Sequence, residues 1–202
     1  MTFIPQHITE FFVVRHGETE WNAIGKIQGH SDIPLNQTGQ TQAALGQKLV
    51  SNLGTLKIYS SDLGRALETA KIMTQQDSPN IITNQLFRER NFGLIDGMDS
   101  QSVDDYFRQN PHHAGIDKQG GLALAHNSET TAQLWARIRQ GLQAIDQPLP
   151  QGTRPIIFAH SGVVRALRQF LGGADLPTMA EHCTPYHFMY QADGVWQYQL
   201  LS

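Results

Sequence analysis

Residues 11–17, Phe11-Phe12-Val13-Val14-Arg15-His16-Gly17, decide the fold. Four consecutive apolar β-formers that give way at once to charge and glycine read as a fully buried central strand. Two more stretches share the pattern. Pro155-Ile156-Ile157-Phe158-Ala159 ends in the polar turn His160-Ser161-Gly162, and Leu56-Lys57-Ile58-Tyr59 is a shorter strand. Helical spacing fills the intervals. Leu45, Leu49 and Leu53 recur every four residues, and Ala66, Ala70 and Met73 follow Asp62, read as an N-cap. Leu134, Ile138, Leu142 and Ile145 follow Ser128, with Glu129 in the first turn; Val163, Leu167, Phe170 and Leu171 follow Ser161 and stop at Gly172-Gly173.

Strands alternating with helices of this length predict a three-layer α/β sandwich. The sheet is mixed but mostly parallel, with helices on both faces. The alternating segment from Tyr186 to Leu200, broken by Ala192-Asp193-Gly194, predicts a hairpin at the sheet edge. The polar stretch from about Met98 to Asn127 reads as a small cap inserted into one domain spanning residues 1–202. A domain of this length buries about 70% of its unfolded surface and needs neither disulfide nor metal for a core. The single cysteine, Cys183, suits a reducing cytosol.

A net charge of −3 argues against a protein that grips nucleic acid through phosphate neutralisation. The apolar run from Ile8 to Val14 contains Glu10 and is too short to span a bilayer, so no membrane role is expected. Nothing in the sequence bears on oligomeric state.

Ligands of open α/β sheets bind beyond the carboxyl ends of the strands. The three strands deliver Arg15, His16 and Gly17, then His160, then Asp62 and Arg65 to one edge. A lone histidine is usually a satisfied core residue, but two histidines and two arginines converging there form an anion site. Arg65 in a first helical turn is disfavoured by the helix dipole unless an anion lies in front; its alternative is an i, i+3 pair with Glu68. Gly17 leaves no Cβ in the path of an in-line phosphorus, and flanking arginines keep His16 neutral and nucleophilic.

The stretch Arg15-His16-Gly17-Glu18-Thr19-Glu20-Trp21-Asn22 resembles the signature of the histidine phosphatase superfamily, which includes cofactor-dependent phosphoglycerate mutases, broad-specificity phosphatases and α-ribazole phosphatases. The likeness extends to Gln28–Leu35, Tyr59–Ala70, Arg88–Gly93 and Ala159-His160, in the family's order. The resemblance implies that His16 accepts the phosphoryl group. Arg15, Arg65 and His160 would bind its oxygens, with Asn22 adding a hydrogen bond. Glu89 would protonate the leaving oxygen and then activate water; its alternative is a salt bridge with Arg88 or Arg90. Three departures stand out. Ser161 occupies a position where many relatives have Gly, though its backbone N–H remains available to phosphate. Leu94-Ile95-Asp96-Gly97 replaces a common Trp-Glu-Gly, and His182-Cys183-Thr184 stands where several relatives have Asn-Cys-Ser.

Other phosphate chemistries lack their motifs. Met189, not Arg, lies six positions after Cys183; there is no Asp-x-Asp; and Gly25-Lys26-Ile27 lacks the Ser or Thr of a P-loop. His160-Ser161 lacks the Gly-x-Ser-x-Gly elbow of serine hydrolases. His112-His113, His126 and the Cys183/His187 pair do not match zinc spacing. The expectation is a metal-free phosphomonoesterase that uses no cofactor and acts on a small phosphorylated metabolite. Its rivals are a phosphoglycerate mutase and a binding module without turnover. Specificity is expected from the cap, where Asp104, Asp105, His112, His113 and Lys118 give no dominant charge.

Overall fold

The computed structural model describes residues 3–111, 115–116, 123–174 and 178–201. Six strands form one sheet: β1 (Glu10–Arg15), β2 (Leu56–Ser60), β3 (Ile81–Thr83), β6 (Arg154–Ala159), β7 (Pro185–Tyr190) and β8 (Trp196–Leu200). Their order is β3-β2-β6-β1-β7-β8. The pairs β1/β6, β2/β6 and β2/β3 are parallel, while β1/β7 and β7/β8 are antiparallel. The sheet is therefore mixed and mostly parallel at its centre, with the expected hairpin along one edge.

Period-2 alternation in β1 builds both layers. Phe11 and Val13 join Ile157, Tyr59 and Phe188 in one cluster. That cluster takes in Leu134, Ile138 and Leu142 from α5 (Thr131–Ile145) and Val163 and Leu167 from α6 (Ser161–Phe170). Phe12 and Val14 face the other way, with Ile58, Ile156 and Phe158, onto α2 (Gln37–Ser51) and α3 (Gly64–Thr74). Phe11, Val13 and Val14 are fully buried and Phe12 almost so; burying each such side chain contributes about 1.5–3 kcal/mol. A strand coated on both sides has no polar face, which is why its sequence reads as an unbroken apolar run.

Several local expectations are corrected. The face of α2 that packs is Gly39, Ala43, Gly46 and Val50; Leu45 is 74% exposed and Leu49 only half-buried. Close approach of the two helices selects small residues there: a Cβ on Gly46 would lie 2.6 Å from the Met73 methyl and 2.8 Å from the Cys183 carbonyl oxygen. The N-cap of α3 is Leu63, without a side-chain cap. Asp62 instead accepts two bonds from Arg88, at 2.7 and 2.6 Å. The N-cap of α5 is Thr130, in a capping box with Gln133, so Glu129 precedes the helix and pairs with Arg137.

Between β3 and α5 lie α4 (Ser100–Gln109) and the two-residue strands β4 (Gly115–Ile116) and β5 (Ala123–Leu124), paired antiparallel. Asp105 is tied to Arg108 on the exposed side of α4. No helix among the described residues is long and apolar enough to cross a membrane.

Candidate active site

A cavity of about 380 Å³ opens at the carboxyl ends of β1, β2 and β6. His16 leaves β1 by one residue and its backbone N–H donates to the Ala159 carbonyl at 3.0 Å, so the sheet itself fixes its origin. The imidazole is buried, and its Nδ1 sits 2.7 Å from the Gly17 carbonyl oxygen. A carbonyl only accepts, so Nδ1 carries the proton and Nε2 carries the lone pair. Arg65 Nε–H donates to that Nε2 at 3.2 Å. Burial, and after it the Arg65 cation, hold the imidazole well below the ordinary histidine range. His16 is thus a neutral, oriented imidazole. Its neutrality comes mainly from desolvation, with the expected arginine contribution second.

Arg65 is fully buried and leaves none of its ends idle. NH1 donates to the Ser31 carbonyl at 2.7 Å and NH2 to the Gly29 carbonyl at 2.9 Å. The alternative partner Glu68 is taken by Gln40. Arg15 is also buried; NH1 donates to the Ala180 carbonyl at 2.7 Å, while Nε has no hydrogen-bond partner. Burial lowers both guanidinium pKa values, and the Glu89 carboxylate is the largest opposing influence on each.

His160, fully buried, is the N-cap of α6 but caps nothing with its side chain. Its Nε2 meets Ser61 Oγ at 2.9 Å, and Nδ1 has no partner. Its ring lies 5.2 Å from that of His16, and burial followed by Arg65 holds it, too, well below the ordinary histidine range. Orphaned buried donors and acceptors are rare and costly. Two of them, on Arg15 and His160, lie beside the His16 ring.

Glu89 is buried on the same cavity. Its carboxylate accepts from Arg90 N at 2.7 Å and from Gly162 N at 3.1 Å, in the first turn of α6. Arg88, one suggested partner, is committed to Asp62. Asn22 also lines the cavity; its Oδ1 accepts from Thr19 N in a capping box, which leaves Nδ2 as its donor for a ligand. Ser161 lines it as well, with Oγ against Met179 Sδ and the Ala180 amide.

Arg15, His16, Arg65 and Glu89 thus line one cavity together with Asn22 and Ser161, while fully buried His160 stands beside His16 and, like Gly17, outside that lining. Comparison with known proteins gives the family. The sequence model of the histidine phosphatase superfamily (branch 1) matches residues 11–195. The chain belongs to the histidine phosphatase superfamily. It is 35% identical over 172 residues to a probable phosphoglycerate mutase GpmB of Yersinia enterocolitica, covering 85% of this chain and 78% of that protein. It is also 35% identical over 160 residues to phosphoglycerate mutase-like protein 4 of Arabidopsis thaliana, covering 78% and 69%. Among solved structures, mycobacterial glucosyl-3-phosphoglycerate phosphatase with VO3 superposes with a TM-score of 0.78 over 96% of this chain and 97% of that one. At 21% identity, that likeness is one of fold.

Close approach of the backbone accounts for two glycines. A Cβ on Gly17 would lie 2.5 Å from the Gly39 carbonyl oxygen, and one on Gly39 would lie 2.1 Å from that of Glu18. The position after the nucleophile is therefore glycine because α2 crosses it. In-line access, the reason expected from sequence, is not what the neighbouring atoms demand. At Gly162 a Cβ would meet Glu89 Oε1 at 2.1 Å, and that carboxylate, the far end of a flexible side chain, would have to shift off its bonds from Arg90 N and Gly162 N. Gly162→Ala should therefore fold but displace Glu89, lowering kcat by about 10²–10³ with little change in melting temperature. An activity within threefold of the parent would show that the carboxylate position is unimportant.

Other residues of the cavity escaped the sequence reading as candidates. Gln28, Phe92, Arg165, Met179 and His182 line it, from four separate segments. No described residue of the 98–127 segment does so. Asp104 and Asp105 lie on α4, away from the cavity lining, while His112, His113 and Lys118 lie outside the described residues. Burial pushes the Cys183 thiol up to about 12, as suits an inert core residue.

Proposed function

We propose that this protein hydrolyses phosphomonoesters of small metabolites by passing the phosphoryl group through His16 Nε2, without a metal or an organic cofactor. The observation that carries the proposal is the tautomer: Nδ1–H is spent on the Gly17 carbonyl, so Nε2, oriented by Arg65 Nε–H, is the basic nitrogen of a ring that lines the cavity. Arg15 and Arg65 balance charge on the equatorial oxygens, and neutral His160 adds a hydrogen bond. Gly17 positions the backbone beside the nucleophile, and Asn22 Nδ2 and the Ser161 amide add donors. Glu89 gives its proton to the leaving oxygen as the P–O bond breaks and the N–P bond forms. It then takes a proton from water, whose oxygen attacks phosphorus and releases His16 and inorganic phosphate.

An isomerase reading is favoured by the likeness to a probable phosphoglycerate mutase GpmB and to phosphoglycerate mutase-like protein 4. One assay separates the readings. Phosphorylated metabolites are screened in EDTA for phosphate release, and phosphoglycerate interconversion is followed with and without bisphosphoglycerate. Phosphate release that persists in EDTA supports hydrolysis; interconversion that depends on bisphosphoglycerate, with negligible release, overturns it.

The pKa directions make a further prediction. His16 and His160 should remain neutral in ring NMR spectra at about pH 6.5, where an ordinary histidine is half protonated. The sign for stability follows. The unfolded chain binds protons at these positions as pH falls through about 6.5 while the folded protein does not, so stability declines below that pH. A midpoint at or above 6.5 for His16 contradicts the neutral nucleophile.

A further inference from the structure

His182 enters the site from 166 residues away, just before β7. Its Nδ1 lies 2.6 Å from the His16 carbonyl oxygen, and its ring lies 5.9 Å from the His16 ring at 63°. The next residue continues the clamp: Cys183 N donates to the Arg15 carbonyl at 2.9 Å. A carbonyl only accepts, so Nδ1 is the protonated nitrogen and neutral His182 has its lone pair on Nε2. That nitrogen has no hydrogen-bond partner among the described residues and is not sealed from solvent, and the residue lines the cavity.

We infer that His182 is a further residue of the phosphoryl site: it positions the nucleophile's backbone through Nδ1 and offers the cavity a proton-binding nitrogen, Nε2, that contacts a bound dianion. The inference rests on the phosphoryl-transfer reading and deepens it. An asparagine amide at this position supplies the same donor to the His16 carbonyl, so positioning alone does not require histidine. What histidine adds is titration. The groups that face the ring are Arg15 at the end of β1, His16 and Glu18 in the loop after it, and Cys183 beside it. Burial, then Arg15, lowers the imidazole pKa, so it is neutral in the free protein. A dianion in the cavity reverses the balance: it screens Arg15 and stabilises imidazolium, so Nε2 takes up a proton and donates it as a hydrogen bond. Dianion affinity therefore rises as pH falls.

Sulfate is the probe, because it stays a dianion across the range and is not turned over. Titration calorimetry between about pH 5 and 8, in buffers of different ionisation enthalpy, reads proton uptake directly. The parent protein should bind sulfate with up to roughly one more proton than His182→Asn, and its affinity should change by up to about tenfold more per pH unit. Ring ¹⁵N NMR of the unmutated protein should show the His182 Nε2 signal moving to a protonated position when sulfate is added. In turnover of p-nitrophenyl phosphate, His182→Ala should lose about 10–100-fold in kcat/KM and His182→Asn distinctly less, because Asn restores the donor to His16. Equal proton uptake in parent and His182→Asn, with an unmoved Nε2 signal, overturns the inference while leaving phosphoryl transfer intact. Undiminished turnover in His16→Ala, or no sulfate binding to the parent, overturns both.

Discussion

His16→Ala should lower kcat/KM for p-nitrophenyl phosphate by on the order of 10⁴ or more, with the folded state preserved. The ring nitrogens left without partners, His160 Nδ1 and His182 Nε2, belong to rings centred 5.2 and 5.9 Å from that of His16, so neither occupies the lost position. His160 Nε2 is engaged with Ser61 and His182 Nδ1 with the His16 carbonyl. Cys183, the one thiol, is buried with its pKa driven up. The guanidinium groups of Arg15 and Arg65 remain to bind a dianion, so sulfate should still bind the variant. Loss of turnover with retained anion binding is the combination that assigns the covalent step to position 16. The His16 backbone remains anchored to the Ala159 and His182 groups, while Arg65 Nε–H and the Gly17 carbonyl lose their ring partner, so the variant should fold but melt several degrees below the parent. Steady-state kinetics, thermal melting and sulfate titration on one preparation make the test. Retention of a tenth of the parent activity would remove His16 from the mechanism.

The central sheet is legible because burial on both faces leaves a continuous apolar signature in β1 and β6, while β2, interrupted by exposed Lys57, reads only as a shorter strand. The strand-end residues followed from topology alone, since three parallel strands deliver their next residues to one edge. What was illegible depends on distance or size. At three residues, β3 (Ile81–Thr83) is too short to show a period. The packed face of α2 was misread because close helix approach favours Gly46 and Ala43 over the leucines that carry the hydrophobic signal. Asp62 has the chemistry of a cap but finds Arg88, 26 residues on. His182 carries no local sign of its contact with His16. Its only trace was the departure from Asn-Cys-Ser, which marked the position without revealing the bond. The chemistry that depends on strand ends was thus visible, and the chemistry that depends on chain return was not.

Arg65→Lys should damage both fold and function, which separates it from the nucleophile variant. Three different ends of the guanidinium reach His16, Ser31 and Gly29, so one planar group joins the nucleophile, the 29–31 loop and α3. An ammonium is a compact point charge and cannot span those three directions. With Arg65 fully buried, at least one of the Gly29 and Ser31 carbonyls loses its donor, and each buried unpaired group costs about 1–3 kcal/mol. The expected destabilisation is about 2–4 kcal/mol, or a melting temperature lower by roughly 4–16 °C for a chain of this size. Catalysis should fall by about 10²–10³ in kcat/KM, because the lone pair of His16 Nε2 loses its guide and the phosphoryl group loses a directed donor. Calorimetric melting and steady-state kinetics measure the two effects separately. If the lysine variant melts with the parent yet loses activity, the guanidinium acts on phosphate alone; if it melts early yet keeps kcat/KM, the residue is a structural bolt with no part in the chemistry. The phosphoryl-transfer proposal requires both losses together, since the same side chain that holds the 29–31 loop also touches His16 Nε2.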